Sequence, residues 1–94
     1  MCKDTLFTIV LDYRGGTYVG QAKGTSVSSA LRLWISQIRD QELKEWKIER
    51  RELVEIAKSH KPVLLDDRVN VWCVSGVADD DLVLINVIAT KRFP

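Results

Sequence analysis

The sequence predicts an α+β protein: a two-layer sandwich in which a four-stranded, mainly antiparallel sheet carries one or two helices on one face. Three observations predict it. Alternating apolar residues flank Gly15-Gly16 near the N-terminus. The middle of the chain repeats apolar residues at steps of three and four, and a second alternating pair of segments surrounds Asp79-Asp80-Asp81. Strand periodicity at both ends with helix periodicity between gives the order β-β-α-α-β-β.

The first strand runs from Thr5 to Tyr13 and is rich in β-branched and aromatic residues. Gly15-Gly16 reads as a two-residue hairpin turn, because both central residues of a type I′ turn need positive φ. The second strand then runs from Thr17 to Lys23. In this register Tyr13 opposes Tyr18, Leu11 opposes Gly20 and Ile9 opposes Ala22. Paired residues share a face, so Phe7, Ile9, Leu11, Tyr13, Tyr18 and Ala22 form one apolar side.

Thr25-Ser26 offers a helix N-cap. Val27, Ala30, Leu31, Trp34, Ile35 and Ile38 make one helical stripe, predicted to end near Asp40 to Glu42. A second helical pattern follows, with Ile48, Leu53, Ile56 and Ala57 on one face. It stops at Lys61-Pro62, since the residue before a proline avoids the helical region. No glycine or proline divides the two patterns.

Asp66-Asp67 precedes a third strand, Val69 to Ser75, and the fourth runs from Leu82 to Lys91. A loop centred on Ala78 pairs Val71 with Ile85, Cys73 with Val83 and Trp72 with Leu84. The expected core face is then Phe7, Ile9, Leu11, Tyr13, Val71, Cys73, Val83, Ile85 and Val87. The opposite face carries Leu6, Val10, Val19, Trp72, Val74, Leu82, Leu84 and Ile88, mixed with polar residues. A half-buried antiparallel sheet normally alternates cleanly between apolar and polar. This one does not, and that departure carries the functional reading.

Composition narrows the class. A chain of 94 residues with 46% hydrophobic and 29% charged residues is ordinary globular usage, read as a single domain over residues 1–94. Fourteen basic and thirteen acidic residues leave a net charge of +1, too little for a global field that would gather nucleic acid or an acidic membrane. No apolar run approaches the ~20 residues that span a bilayer. The N-terminus lacks the pattern of a signal peptide, and Cys2 and Cys73 make no disulfide framework, so the expectation is a soluble, cytoplasmic protein.

No catalytic residue, metal ligand or cofactor is assigned. His60, the single histidine, stands at a helix end where imidazole favours the dipole. Cys73 lies in an apolar run without a base beside it, so it reads as an inert thiol. The Asp79-Asp80-Asp81 run lacks the spaced ligands and distal glutamate of a calcium loop, and turn chemistry accounts for it. Gly15-Gly16 is not followed by the lysine of a phosphate loop.

Two functional readings compete. Lys44, Lys47, Arg50 and Arg51 cluster around Trp46, with Arg39 nearby, and a basic patch with an aromatic can hold a phosphate backbone and stack a base. Yet Glu42, Glu45, Glu49, Glu52 and Glu55 interleave with those cations, as on a solvated helix face. Against this stands the apolar outer face, with Leu6, Val10, Trp72, Val74, Leu82, Leu84 and Ile88 as interface residues and Trp72 at the centre. Tryptophan is enriched in binding hot spots. The leading expectation is therefore a non-catalytic protein-interaction module of accessory, inhibitor or immunity type, self-associating as a homodimer through its sheet face. Weak RNA or DNA binding by the second-helix cations is the alternative, and neither membrane nor small-molecule substrate is inferred.

Overall fold

The computed structural model describes residues 4–65 and 70–92. Eight elements follow in order: β1 (Thr5–Tyr13), β2 (Gly16–Gly24), α1 (Val27–Gln37), α2 (Asp40–Trp46), α3 (Arg50–Ser59), β3 (Val63–Leu64), β4 (Val71–Ala78) and β5 (Asp81–Arg92). The α+β class stands, with five strands and three helices among the described residues where four strands and one or two helices were expected. The sheet is antiparallel throughout, in the order β2-β1-β5-β4-β3. The extra strand, β3, is two residues long. Val63 pairs with Cys73 and Leu64 with Trp72, too short a run to show an alternation in sequence.

Both hairpin turns differ from expectation. The first turns on Arg14-Gly15, with φ of 49° and 77°, so Tyr13 pairs with Gly16, Leu11 with Tyr18 and Ile9 with Gly20. The register slides by two residues, which keeps the predicted faces. The second turns on Asp79-Asp80, both left-handed at φ 50° and 65°. Val74 consequently pairs with Ile85, Cys73 with Asn86 and Trp72 with Val87. The displacement from the expected pairing is odd, and an odd slip exchanges the two faces of a strand. Trp72 and Val74 therefore point to the helix side. Val74 is 1% exposed, and the Trp72 ring meets Phe7 edge to face with centroids 6.2 Å apart. Val71 and Cys73, expected in the core, are half-buried on the other face.

All three helices belong to the helix-side layer. Alpha-one lies over β2 and α3 over β4. Serine 26 caps α1 in a reciprocal box: the Ser29 N–H donates to Ser26 Oγ and the Ser26 N–H to Ser29 Oγ, both at 3.1 Å. The break after α1 needs neither glycine nor proline, because Arg50 at the start of α3 reaches back across it. Its guanidinium donates to the carbonyl oxygens of Ile35 and Ile38 and to Asp40 Oδ1, the last at 3.0 Å. These bonds satisfy carbonyls that a helix end leaves without partners. Lys47, left-handed at φ 60°, ends α2, and His60 is the C-cap of α3.

Two glycines let the layers close. A Cβ at Gly20 would overlap the Trp34 indole, and one at Gly76 would come within 2.7 Å of Ile56 Cγ1. Gly76 thus stands inside β4 under α3. The core fills the space between layers, with Ile9, Leu11, Leu53, Val83, Ile85 and Val87 fully enclosed. Among the described residues no helix is long and apolar enough to cross a membrane.

Candidate protein-interaction face

Among the described residues no helix lies over the sheet's other face. Its residues follow from the register. On β1 they are Leu6, Thr8, Val10 and Asp12, and on β2 they are Thr17, Val19, Gln21 and Lys23. On β5 they are Leu82, Leu84, Asn86 and Ile88, and on β4 Val71, Cys73, Ser75 and Val77. Five of the seven expected interface residues lie there: Leu6, Val10, Leu82, Leu84 and Ile88. The other two, Trp72 and Val74, do not, for the parity reason given above. In their place the turn brings Val71, Cys73 and Val77 outward, and β3 adds Val63. The missed signal was Asp79-Asp80 read as a two-residue turn, since Asp tolerates the left-handed conformation better than most side chains.

The apolar residues are not evenly covered. Val19 and Val77 are each 65% exposed and Leu82 58%, whereas Leu6, Val10, Leu84 and Ile88 are half-buried by their neighbours. The polar residues among them largely satisfy one another. Gln21 Nε2 donates to Thr8 Oγ1 at 3.0 Å, Thr8 and Thr90 share a hydroxyl hydrogen bond, and Thr17 donates to Asp12 Oδ1 at 2.6 Å. This ladder runs from β2 across β1 to β5. Side chains that already have partners lose less on leaving water than unpaired ones.

The acidic turn has a partner within the chain. Arg14 Nε donates to Asp81 Oδ2 at 2.6 Å, and the same guanidinium binds Asp79. The two hairpin tips are thus joined, and those carboxylates raise the Arg14 pKa above its ordinary value. Beneath them the Tyr13 hydroxyl donates to the Ala78 carbonyl at 3.0 Å, and burial pushes its pKa up.

Of the five residues of the nucleic-acid reading, Lys44, Lys47 and Arg50 line one hollow, and Trp46, Arg50 and Arg51 are engaged within the chain. Trp46 stacks on Tyr18 with centroids 4.3 Å apart and lies near-parallel to Trp34 at 6.3 Å, so one of its faces is held inside the chain. Arg50 holds the end of α1. Arg51 Nε pairs with Glu49 Oε2 at 2.6 Å. Lys44 and Lys47 are exposed beside a hollow that also carries Asp40 and Glu49. Glu42, in turn, holds Arg39.

His60 is exposed at the helix end, and Cys73 is half-buried on the open sheet face between Val63 and Asn86. Cys2, Asp66, Asp67 and the terminal Phe93-Pro94 lie outside the described residues. Among the described residues no three His, Cys, Asp or Glu side chains gather as metal ligands would.

No protein-family model, no curated protein and no solved structure matches this chain.

Proposed function

We propose that this chain is a non-catalytic protein-interaction module whose partner surface is the uncovered face of the sheet, and that the first occupant of that face is a second copy. One observation carries the reading: Leu6, Val10, Leu82, Leu84 and Ile88 share a sheet face that none of the three helices covers. Its size fits. Four long strands about 4.8 Å apart, each about nine residues at 3.4 Å rise, present roughly 600 Å² before corrugation. A standard stable interface removes about 800 Å² from each partner. A two-fold axis is the commonest way to bury such a face, because one self-complementary patch then serves both copies. The module acts by contact rather than turnover, as an accessory or inhibitory subunit does. The weak nucleic-acid reading has less support, because Trp46, Arg50 and Arg51 are engaged within the chain.

Sedimentation velocity across a concentration series tests this. The parent is expected to dimerise, and Leu82→Glu and Val19→Lys, both at exposed positions, to give folded monomers. A parent that stays monomeric at high micromolar concentration overturns the self-association.

A further inference from the structure

We propose that the hollow between α1 and the C-terminal end of α3 binds a phosphoryl group, gripped by Arg32 together with Lys58 and Lys61. The hollow is about 350 Å³, and its lining among the described residues includes Ser28, Arg32, Lys58, His60 and Lys61 with no carboxylate. That volume lies at the lower end of small-molecule sites, roughly 300–1,000 Å³.

The argument rests on how the fold distributes its cations. Arg14, Arg39, Arg50 and Arg51 each hold a carboxylate. Arg32 holds none among the described residues, and instead lines the same hollow as Lys58 and Lys61. The C-terminal dipole of α3 accounts for cations at Lys58 and Lys61. It does not account for Arg32, which comes from the middle of a different helix. In a chain of net charge +1, three positive side chains around one concavity are a local concentration, and like charges so placed repel unless an anion joins them. The guanidinium fork matches phosphate oxygens two at a time, while lysines act as point charges beside it. The helices lie on the opposite side of the sheet from the proposed dimer face, so the two sites can be filled together and fail separately.

The shared chemistry is a phosphoryl group, carried by a small phosphate compound or by a nucleic-acid backbone, and two titrations separate these sources. Amide spectra of the 15N-labelled protein are followed with sodium pyrophosphate and, separately, with a short single-stranded oligonucleotide, ionic strength being held constant with sodium chloride. Saturable shifts are expected at residues 28–32 and 57–61. Saturation by pyrophosphate assigns a small phosphate ligand, and saturation by the oligonucleotide alone assigns the backbone. Arg32→Gln should weaken binding about tenfold, the loss of one charge-assisted hydrogen bond, while Arg39→Gln leaves it unchanged. Without anion the Arg32→Gln melting temperature should equal or exceed that of the parent, which excludes unfolding as the cause. Shifts that never saturate with either ligand, or equal affinity in Arg32→Gln, overturn the proposal.

Discussion

Phe7 and Trp72 meet edge to face across a strand that separates them. Phe7 is on β1, Trp72 on β4, and β5 runs between. Phe7 pairs with Ala89 and Trp72 with Val87, so the small Ala89 side chain leaves room for the two rings to meet above it. Such aromatic pairs add about 0.5–1.5 kcal/mol beyond their buried area. Trp72→Ala should therefore destabilise the monomer by about 2–4 kcal/mol, somewhat less than the ~3–5 kcal/mol of fully buried aromatic truncations because Trp72 is only half-buried. Urea denaturation measures this. An unchanged midpoint would return Trp72 to the outer face.

Arg50 ties α3 to the end of α1. Replacing it with Ala leaves the Ile35 and Ile38 carbonyls without their donor and is expected to cost about 1–3 kcal/mol. Lysine cannot reproduce a planar fork over two oxygens, so Arg50→Lys should recover only part of the loss. Thermal melts of the two variants check the order.

Gly20 lies under the Trp34 ring, and Gly20→Ala forces the indole aside. Overpacking of this kind costs about 1–3 kcal/mol. Because Trp34 is near-parallel to Trp46, which stacks on Tyr18, the near-ultraviolet dichroism should change along with the melting temperature.

Burial raises the Tyr13 pKa above the ordinary 10.0, so the folded state holds the phenolic proton more tightly than the unfolded chain does. The contribution is complete below pH 10 and is lost as pH climbs from there toward the folded value. Stability should thus fall more steeply above pH 10 in the parent than in Tyr13→Phe. At neutral pH Tyr13→Phe is expected to cost about 1 kcal/mol, the hydrogen bond to the Ala78 carbonyl. Denaturation midpoints at pH 8 and pH 10.5 for both proteins supply the comparison.

Elements with a strong period were legible from residues alone. The stripe from Val27 to Ile38 and the alternation from Thr5 to Tyr13 each repeat often enough to identify a helix and a strand, and the apolar side of the first hairpin survived a misplaced turn because the slip was even. The legible part of the candidate face was the contribution of β1, β2 and β5. What escaped depended on contacts distant in sequence. The break between α1 and α2 is enabled by Arg50, beyond the next helix, and the need for a glycine at position 76 comes from Ile56, twenty residues earlier in α3. Arg50 itself looked like a phosphate contact because nothing nearby in sequence announces two carbonyls fifteen and twelve residues earlier. The face Trp72 takes depends on the one position at which β4 reverses, and nothing near Trp72 in sequence marks it.

That reversal at Asp79-Asp80 bears on how the gene can vary in length. With β5 anchored between β1 and β4, adding or deleting one residue at this tip would turn β4 over, driving Trp72 and Val74 into solvent and turning Cys73 and Val71 toward the helix side. Adding or deleting two would slide the strand along its neighbour with its sides preserved. Length changes at this tip should therefore survive selection in even steps, with odd steps eliminated, whereas a far tip distant from any core strand would accept either.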